Sequence, residues 1–115
     1  MYEIGTFPDK LTDTGLFCIL NRTQSITIPI IIRDTLSLTA GDEVIVGLTS
    51  NSKELLIQKL IGQTLENIMI ISNKGSIRIP EELMKTLYLK KGEVFHIYIS
   101  IDESVILLKS KNYRA

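Results

Sequence analysis

Residues 73–93 read NKGSIRIPEELMKTLYLKKGE, and this stretch decides how the rest of the chain is read. A polar turn (Asn73, Lys74, Gly75) leads into a short alternating run. Ile77 and Ile79 fall on one face of that run, Ser76 and Arg78 on the other. Pro80 stands where a helix would begin, and Glu81 and Glu82 suit the positive end of a helix dipole. Leu83 and Leu87 stack one turn apart, with Lys85 near the helix end. Gly92-Glu93 then turns the chain into a new alternating run in which Phe95, Ile97 and Ile99 face inward.

The same text stands upstream. Pro29 and Pro80 are 51 positions apart (80 − 29), and that offset also pairs identical residues on either side of the prolines. The pairs are Ile19 with Ile70, Ser25 with Ser76, Ile26 with Ile77, Ile28 with Ile79, Leu36 with Leu87, Leu38 with Leu89 and Gly41 with Gly92. Asp42 and Glu93 pair conservatively. An ungapped match from residue 17 to residue 59 is an internal duplication. It divides the chain into an N-terminal arm (1–16), a first repeat (17–60), a linker (61–67) containing Gly62, a second repeat (68–110) and a tail (111–115).

Each repeat reads strand, polar turn, strand, short helix, strand, turn, strand. One segment resists this reading when taken alone. Pro29-Ile30-Ile31-Ile32 is β-branched and reads as strand by propensity. The repeat places it on the helix of the second half, with Ile32 and Leu36 as the buried stripe.

The 115 residues amount to one ordinary domain, or two small units sharing a core, and 44% of them are hydrophobic, enough for an aliphatic core. A unit of about 45 residues buries too little surface to stand alone. With one Cys and one His there is no disulfide or structural metal site to help it. Each half therefore needs the other, and a short tether favours pairing within the chain. No run approaches the length of a membrane span, and the arm, with Glu3, Asp9 and Asp13, is no signal peptide. A soluble, cytoplasmic protein is expected, with Cys18 reduced.

Thirteen basic and thirteen acidic residues balance, so any nucleic-acid contact must come from a local patch rather than from net charge. There is no Gly-rich phosphate loop, no nucleophile beside a base and no metal spacing, so neither an enzyme nor a cofactor is expected. His96 reads as a surface strand residue and Cys18 as a small strand residue. Asp42 and Glu93 read as carboxylates that satisfy turn amides.

The motif Ser76-Ile77-Arg78-Ile79-Pro80-Glu81-Glu82-Leu83, followed by Leu87-Tyr88-Leu89-Lys90-Lys91-Gly92-Glu93, resembles the SpoVT/AbrB-like superfamily of AbrB regulators and MazE-type antitoxins. Ser25-Ile26-Thr27-Ile28-Pro29 and Gly41-Asp42-Glu43-Val44 repeat its outline. The resemblance implies a mainly β fold with short helices, a swapped-hairpin barrel made here by two repeats of one chain. It also implies double-stranded DNA bound through the strand-turn segments before each proline. The implied contact residues are Asn73, Lys74, Ser76, Arg78 and Lys85 in the second half, and Arg22, Ser25 and Arg33 in the first. Lys74, Arg78 and Lys85 are expected to form one phosphate-contacting cluster, unless Arg78 simply pairs with Glu81 or Glu82.

The first half departs from the pattern. Thr27 stands in place of the arginine, Gln24 in place of a glycine, and Asp34 adjoins Arg33. The second half is therefore expected to carry more of any DNA contact. Two alternatives stay open: an antitoxin, whose toxin partner the short tail disfavours, and a protein-interaction module that has lost DNA binding. Two such chains could still pair as a homodimer.

Overall fold

The computed structural model describes residues 10–49, 54–60 and 68–110. The linker, the tail, the first nine residues and residues 50–53 lie outside them. The elements in order are β1 (Thr12–Ile19), β2 (Ser25–Thr27), α1 (Ile30–Thr35), β3 (Glu43–Leu48), β4 (Glu54–Lys59), β5 (Ile68–Ile70), β6 (Ser76–Arg78), α2 (Glu81–Thr86), β7 (Val94–Ser100) and β8 (Val105–Ser110). β2 and β6, α1 and α2, and β4 and β8 begin and end 51 positions apart.

Strand exchange between the halves is the main feature of the topology. The six-stranded sheet runs β1-β7-β8-β4-β3-β5, antiparallel throughout. The opening strand of the first half, β1, lies on the second half's β7, and β5 lies on the first half's β3. At the centre β4 pairs with β8, setting Leu56 opposite its own repeat equivalent, Leu107. The sheet ends at β1 and β5, which do not pair with one another. It is open, where a closed barrel was expected. The gap side is occupied by a separate ribbon of β2 and β6, which packs against β1 and β5.

Alternation along the strands sends Val44, Val46, Phe95, Ile97, Leu55, Ile57, Ile106 and Leu108 to one buried face. The ribbon contributes Ile26, Ile28, Ile77 and Ile79, and the helices contribute Ile32, Leu36, Leu83 and Leu87. Both halves thus feed one aliphatic core, and neither could bury its share alone. A smaller cluster of Leu56, Val105 and Leu107 lies apart from it, with Leu11, Ile45 and Tyr98 beside it.

The helix at Ile30–Thr35 forms despite its β-branched run. Pro29, at φ −55, sits at the N-cap, and Ile32 is buried. Burial of that stripe outweighs the roughly half a kcal/mol that each Ile costs in a helix. Both helices end alike. Ser37 and Tyr88 take left-handed φ values of 57 and 55. Leu38 N–H returns to Arg33 O at 2.8 Å, and Leu89 N–H to Met84 O at 2.9 Å. These are Schellman ends, where glycine is the usual residue.

The lead-in expected to reach residue 16 is strand from Thr12 onward. A bulge lies between Asp13 and Leu16, with Gly15 at φ 73. Thr14 Oγ1 donates to Ile97 O at 2.7 Å and so fixes this stretch on β7. Sequence alone hid this because the bulge breaks the strict alternation of a strand.

Candidate nucleic-acid interface

The outward face of the β2–β6 ribbon gathers most of the polar residues singled out above. Ser25 lies opposite Arg78, Ile26 opposite Ile77 and Thr27 opposite Ser76. The isoleucines are fully buried below. Above, the Thr27 and Ser76 hydroxyls are hydrogen-bonded at 2.9 Å. Two further bonds extend the ribbon at its ends, Ile28 N–H to Gly75 O at 3.0 Å and Ile79 N–H to Gln24 O at 2.7 Å.

Each polar turn is organised by its first residue. Asn21 Oδ1 accepts from the N–H groups of Thr23 (2.9 Å) and Ser25 (3.0 Å). Ser72 Oγ accepts from Lys74 N–H (3.3 Å) and Ser76 N–H (3.0 Å). These side chains mimic backbone turns, which is why Asn and Ser serve here. The sequence reading assigns neither residue a contact role.

The register divides these residues between the two ends of the ribbon. Because the ribbon is antiparallel, the 21–24 turn adjoins Arg78 while the 72–75 turn adjoins Thr27 and Ile28. Arg22, Ser25 and Arg78 therefore share one end of the ribbon. Asn73, Lys74 and Ser76 belong to the other end, where Ser76 stands two strand residues, roughly 7 Å, from Arg78 and the 72–75 turn lies beyond it. Lys85 belongs with neither. It lines a groove on α2 with Glu81, Met84, Tyr88, Leu89 and Lys90.

Arg22, Asn73, Lys74 and Arg78 are exposed. The ion pairs among the described residues are Lys59 with Asp42 and Lys109 with Glu54, both at 3.5 Å, and His96 with Asp13 at 2.6 Å. Arg22, Lys74 and Arg78 take part in none of them. Arg78 shares a shallow groove of about 420 Å³ with Gln24, Pro80, Glu81 and Glu82, without an ion pair to either glutamate. Arg33 is half-buried, and its Nε donates to Ile28 O at 2.9 Å.

Residues outside the ribbon behave differently from one another. Burial pushes the Cys18 thiol up to about 12, which removes it as a nucleophile. Asp42 accepts from Thr39 N–H at 2.8 Å, and this bond, with Lys59 nearby, holds its carboxyl below the ordinary range. That is the turn role expected of it. Glu93 does not share it: its carboxylate accepts from the Ser110 hydroxyl on β8.

His96 has a partner the sequence could not reveal, since Asp13 lies 83 positions away. The same Asp13 carboxylate accepts from Gly15 N–H at 2.9 Å, and these bonds lower its pKa. Phe17 and Tyr98 flank the His96 ring at 4.8 and 4.7 Å, and Lys109 lies over Tyr98 at 4.9 Å. Among the described residues, no three His, Cys, Asp or Glu side chains come together as metal ligands. No helix among them is long and apolar enough to cross a membrane.

No family model matches the chain, and no curated protein matches it. Among solved structures, the solution structure of PHS018 from Pyrococcus horikoshii is similar over 87% of this chain and 94% of that one, at 23% identity and a TM-score of 0.48. A likeness of that degree carries neither a family nor a function.

Proposed function

We propose that this chain is a duplex-DNA-binding regulator of the AbrB type, a swapped-hairpin pseudo-dimer within one chain, with the β2–β6 ribbon as its contact face. The exchange of β1 and β5 between halves and the self-equivalent pairs Ile26–Ile77 and Leu56–Leu107 support the pseudo-dimer. The observation that carries the functional reading is the distribution of cations along the ribbon. One end holds Arg22 and Arg78, and the other holds Lys74 backed by Arg33. Each end thus draws one cation from each half, although the second repeat is the more basic in sequence. A face with a twofold centre and a cation-bearing end on either side suits phosphates on both strands of a duplex. The exposed hydroxyls and Asn73 supply hydrogen-bonding groups between them.

The test is binding to mixed duplex DNA over a salt series. Three phosphate contacts, from Arg22, Lys74 and Arg78, give a log–log slope of about −3. Arg78→Ala should weaken binding and bring the slope to about −2. Salt-independent binding, or none to any duplex, overturns the reading.

A protein-interaction module is the second reading, and one observation favours it. Ile30 and Ile31 are 64% and 63% exposed on α1, and Tyr88 is 78% exposed after α2. If DNA binding is absent, these side chains are the place to look for a protein contact.

A further inference from the structure

Arg33 and Gly75 belong to different halves, and they meet. The Arg33 guanidinium lies where a side chain at Gly75 would begin: a Cβ there would fall on its Cζ and Nε and come within 2.9 Å of Nη2. Gly75 is buried and takes φ +79, which a residue with a side chain seldom adopts. Between them stands one residue, Ile28. Its N–H donates to Gly75 O at 3.0 Å, and its C=O accepts from Arg33 Nε at 2.9 Å. Helix α1 of the first half is thereby fastened to the 72–75 turn of the second.

The repeat holds an internal comparison. The position equivalent to Arg33 is Met84 (33 + 51), and the position equivalent to Gly75 is Gln24 (75 − 51). Gln24 also takes a left-handed φ, 62, so the turn has the same shape with a side chain in place. The cost is visible, because Gln24 Nε2 is buried without a hydrogen-bond partner. Where the helix supplies arginine, the turn supplies glycine. Where the turn carries a side chain, the helix supplies a thioether that asks for no hydrogen bond.

We propose that Arg33 is a positioning residue: it holds the 72–75 turn of the opposite repeat and so presents Asn73 and Lys74. A side chain at position 75 requires the Arg33 guanidinium to leave its place beside Ile28, so the two positions are coupled. The presentation of Lys74 to phosphate rests on the DNA-binding reading above; the lock itself does not.

The experiment compares Arg33→Met, Gly75→Gln and the double variant, which installs the residue types that the repeat holds at the equivalent positions, Met84 and Gln24. The readouts are thermal midpoints and the amide shifts of residues 73–76. Gly75→Gln alone should lower the midpoint by about 5 °C or more. The double variant should recover at least half of that loss and return the amide shifts toward wild type. A double variant whose loss equals the sum of the two single losses overturns the lock. Should Gly75→Gln not fold, Gly75→Ala with and without Arg33→Met makes the same comparison.

Duplex binding over the salt series tests the presentation. Arg33→Met should weaken binding roughly fivefold, the worth of about one hydrogen bond, with the salt slope unchanged. Lys74→Ala should reduce the slope by about 1. A slope reduced by about 1 in Arg33→Met would make Arg33 a phosphate contact itself and overturn the positioning role. If the wild-type protein binds no duplex, the DNA reading fails while the midpoints still decide the lock.

Discussion

Ile26 lies directly opposite Ile77 in the two-stranded ribbon, and the two are the same residue of the repeat. A pseudo-twofold axis therefore passes between them, and both side chains are fully buried. Equivalent surroundings should give equivalent energetics. Ile26→Ala and Ile77→Ala should each cost about 3 kcal/mol in urea unfolding, in the range for a buried Ile truncated to Ala. A difference beyond about 1 kcal/mol between them would mean that the two sides of the ribbon pack unequally.

The helix ends offer a gain in stability. Ser37 and Tyr88 hold left-handed conformations at positions where glycine carries no steric penalty. Ser37→Gly and Tyr88→Gly should each stabilise the protein by about 1 kcal/mol, a rise of several degrees in the thermal midpoint. Tyr88 is the more informative of the two, because its ring is almost wholly in solvent and takes little packing with it when removed.

Acid should act through two carboxylates. Asp42 is held low first by Thr39 N–H, and Asp13 first by Gly15 N–H and then by His96. A lowered folded-state pKa means stability that is present above the ordinary value, 3.8, and is lost as pH falls through the folded value. Asp42→Asn and Asp13→Asn should therefore be less stable than wild type at pH 7, with the difference shrinking below about pH 4. Thermal midpoints measured between pH 7 and pH 2.5 check the sign. A difference that grows on acidification would contradict it.

Duplex binding should report both ends of the ribbon. Arg22→Ala at one end and Lys74→Ala at the other should each reduce the salt slope by about 1. Their effects should add in the double variant, since the sites share no partner. If Arg22→Ala has no effect while Lys74→Ala does, contact is confined to the end carrying the 72–75 turn.

The duplication made most of the local structure legible. Pro29 and Pro80 marked both helices, and the match between halves placed α1 on a run of isoleucines that propensity assigns to strand. Alternation identified Val44, Val46, Phe95 and Ile97 as core, because a period of two is a local property. What the sequence could not supply was pairing. Arg78 and Lys74 are four residues apart in one strand-turn segment and read as neighbours. Their separation is set within that segment, but the antiparallel partner brings the 21–24 turn to Arg78 and Thr27 to Ser76, and only the register reveals that. The same holds for Arg33, whose role depends on a glycine 42 positions away (75 − 33), and for His96 with Asp13. The closed barrel failed for a related reason, since no local pattern tells whether two edge strands will meet.

The placement of β1 on β7 also sets the order of events as the chain is made. Ile19 pairs with Val94, 75 positions later (94 − 19). At five to twenty residues per second, β1 leaves the ribosome about 4 to 15 s before its partner strand exists. During that interval the first repeat can close its own β3–β4 hairpin, while Leu16, Cys18 and Leu20 have no sheet to join. The opening strand of the first repeat therefore waits for the second repeat's helix to be made before the strand that completes its pairing exists.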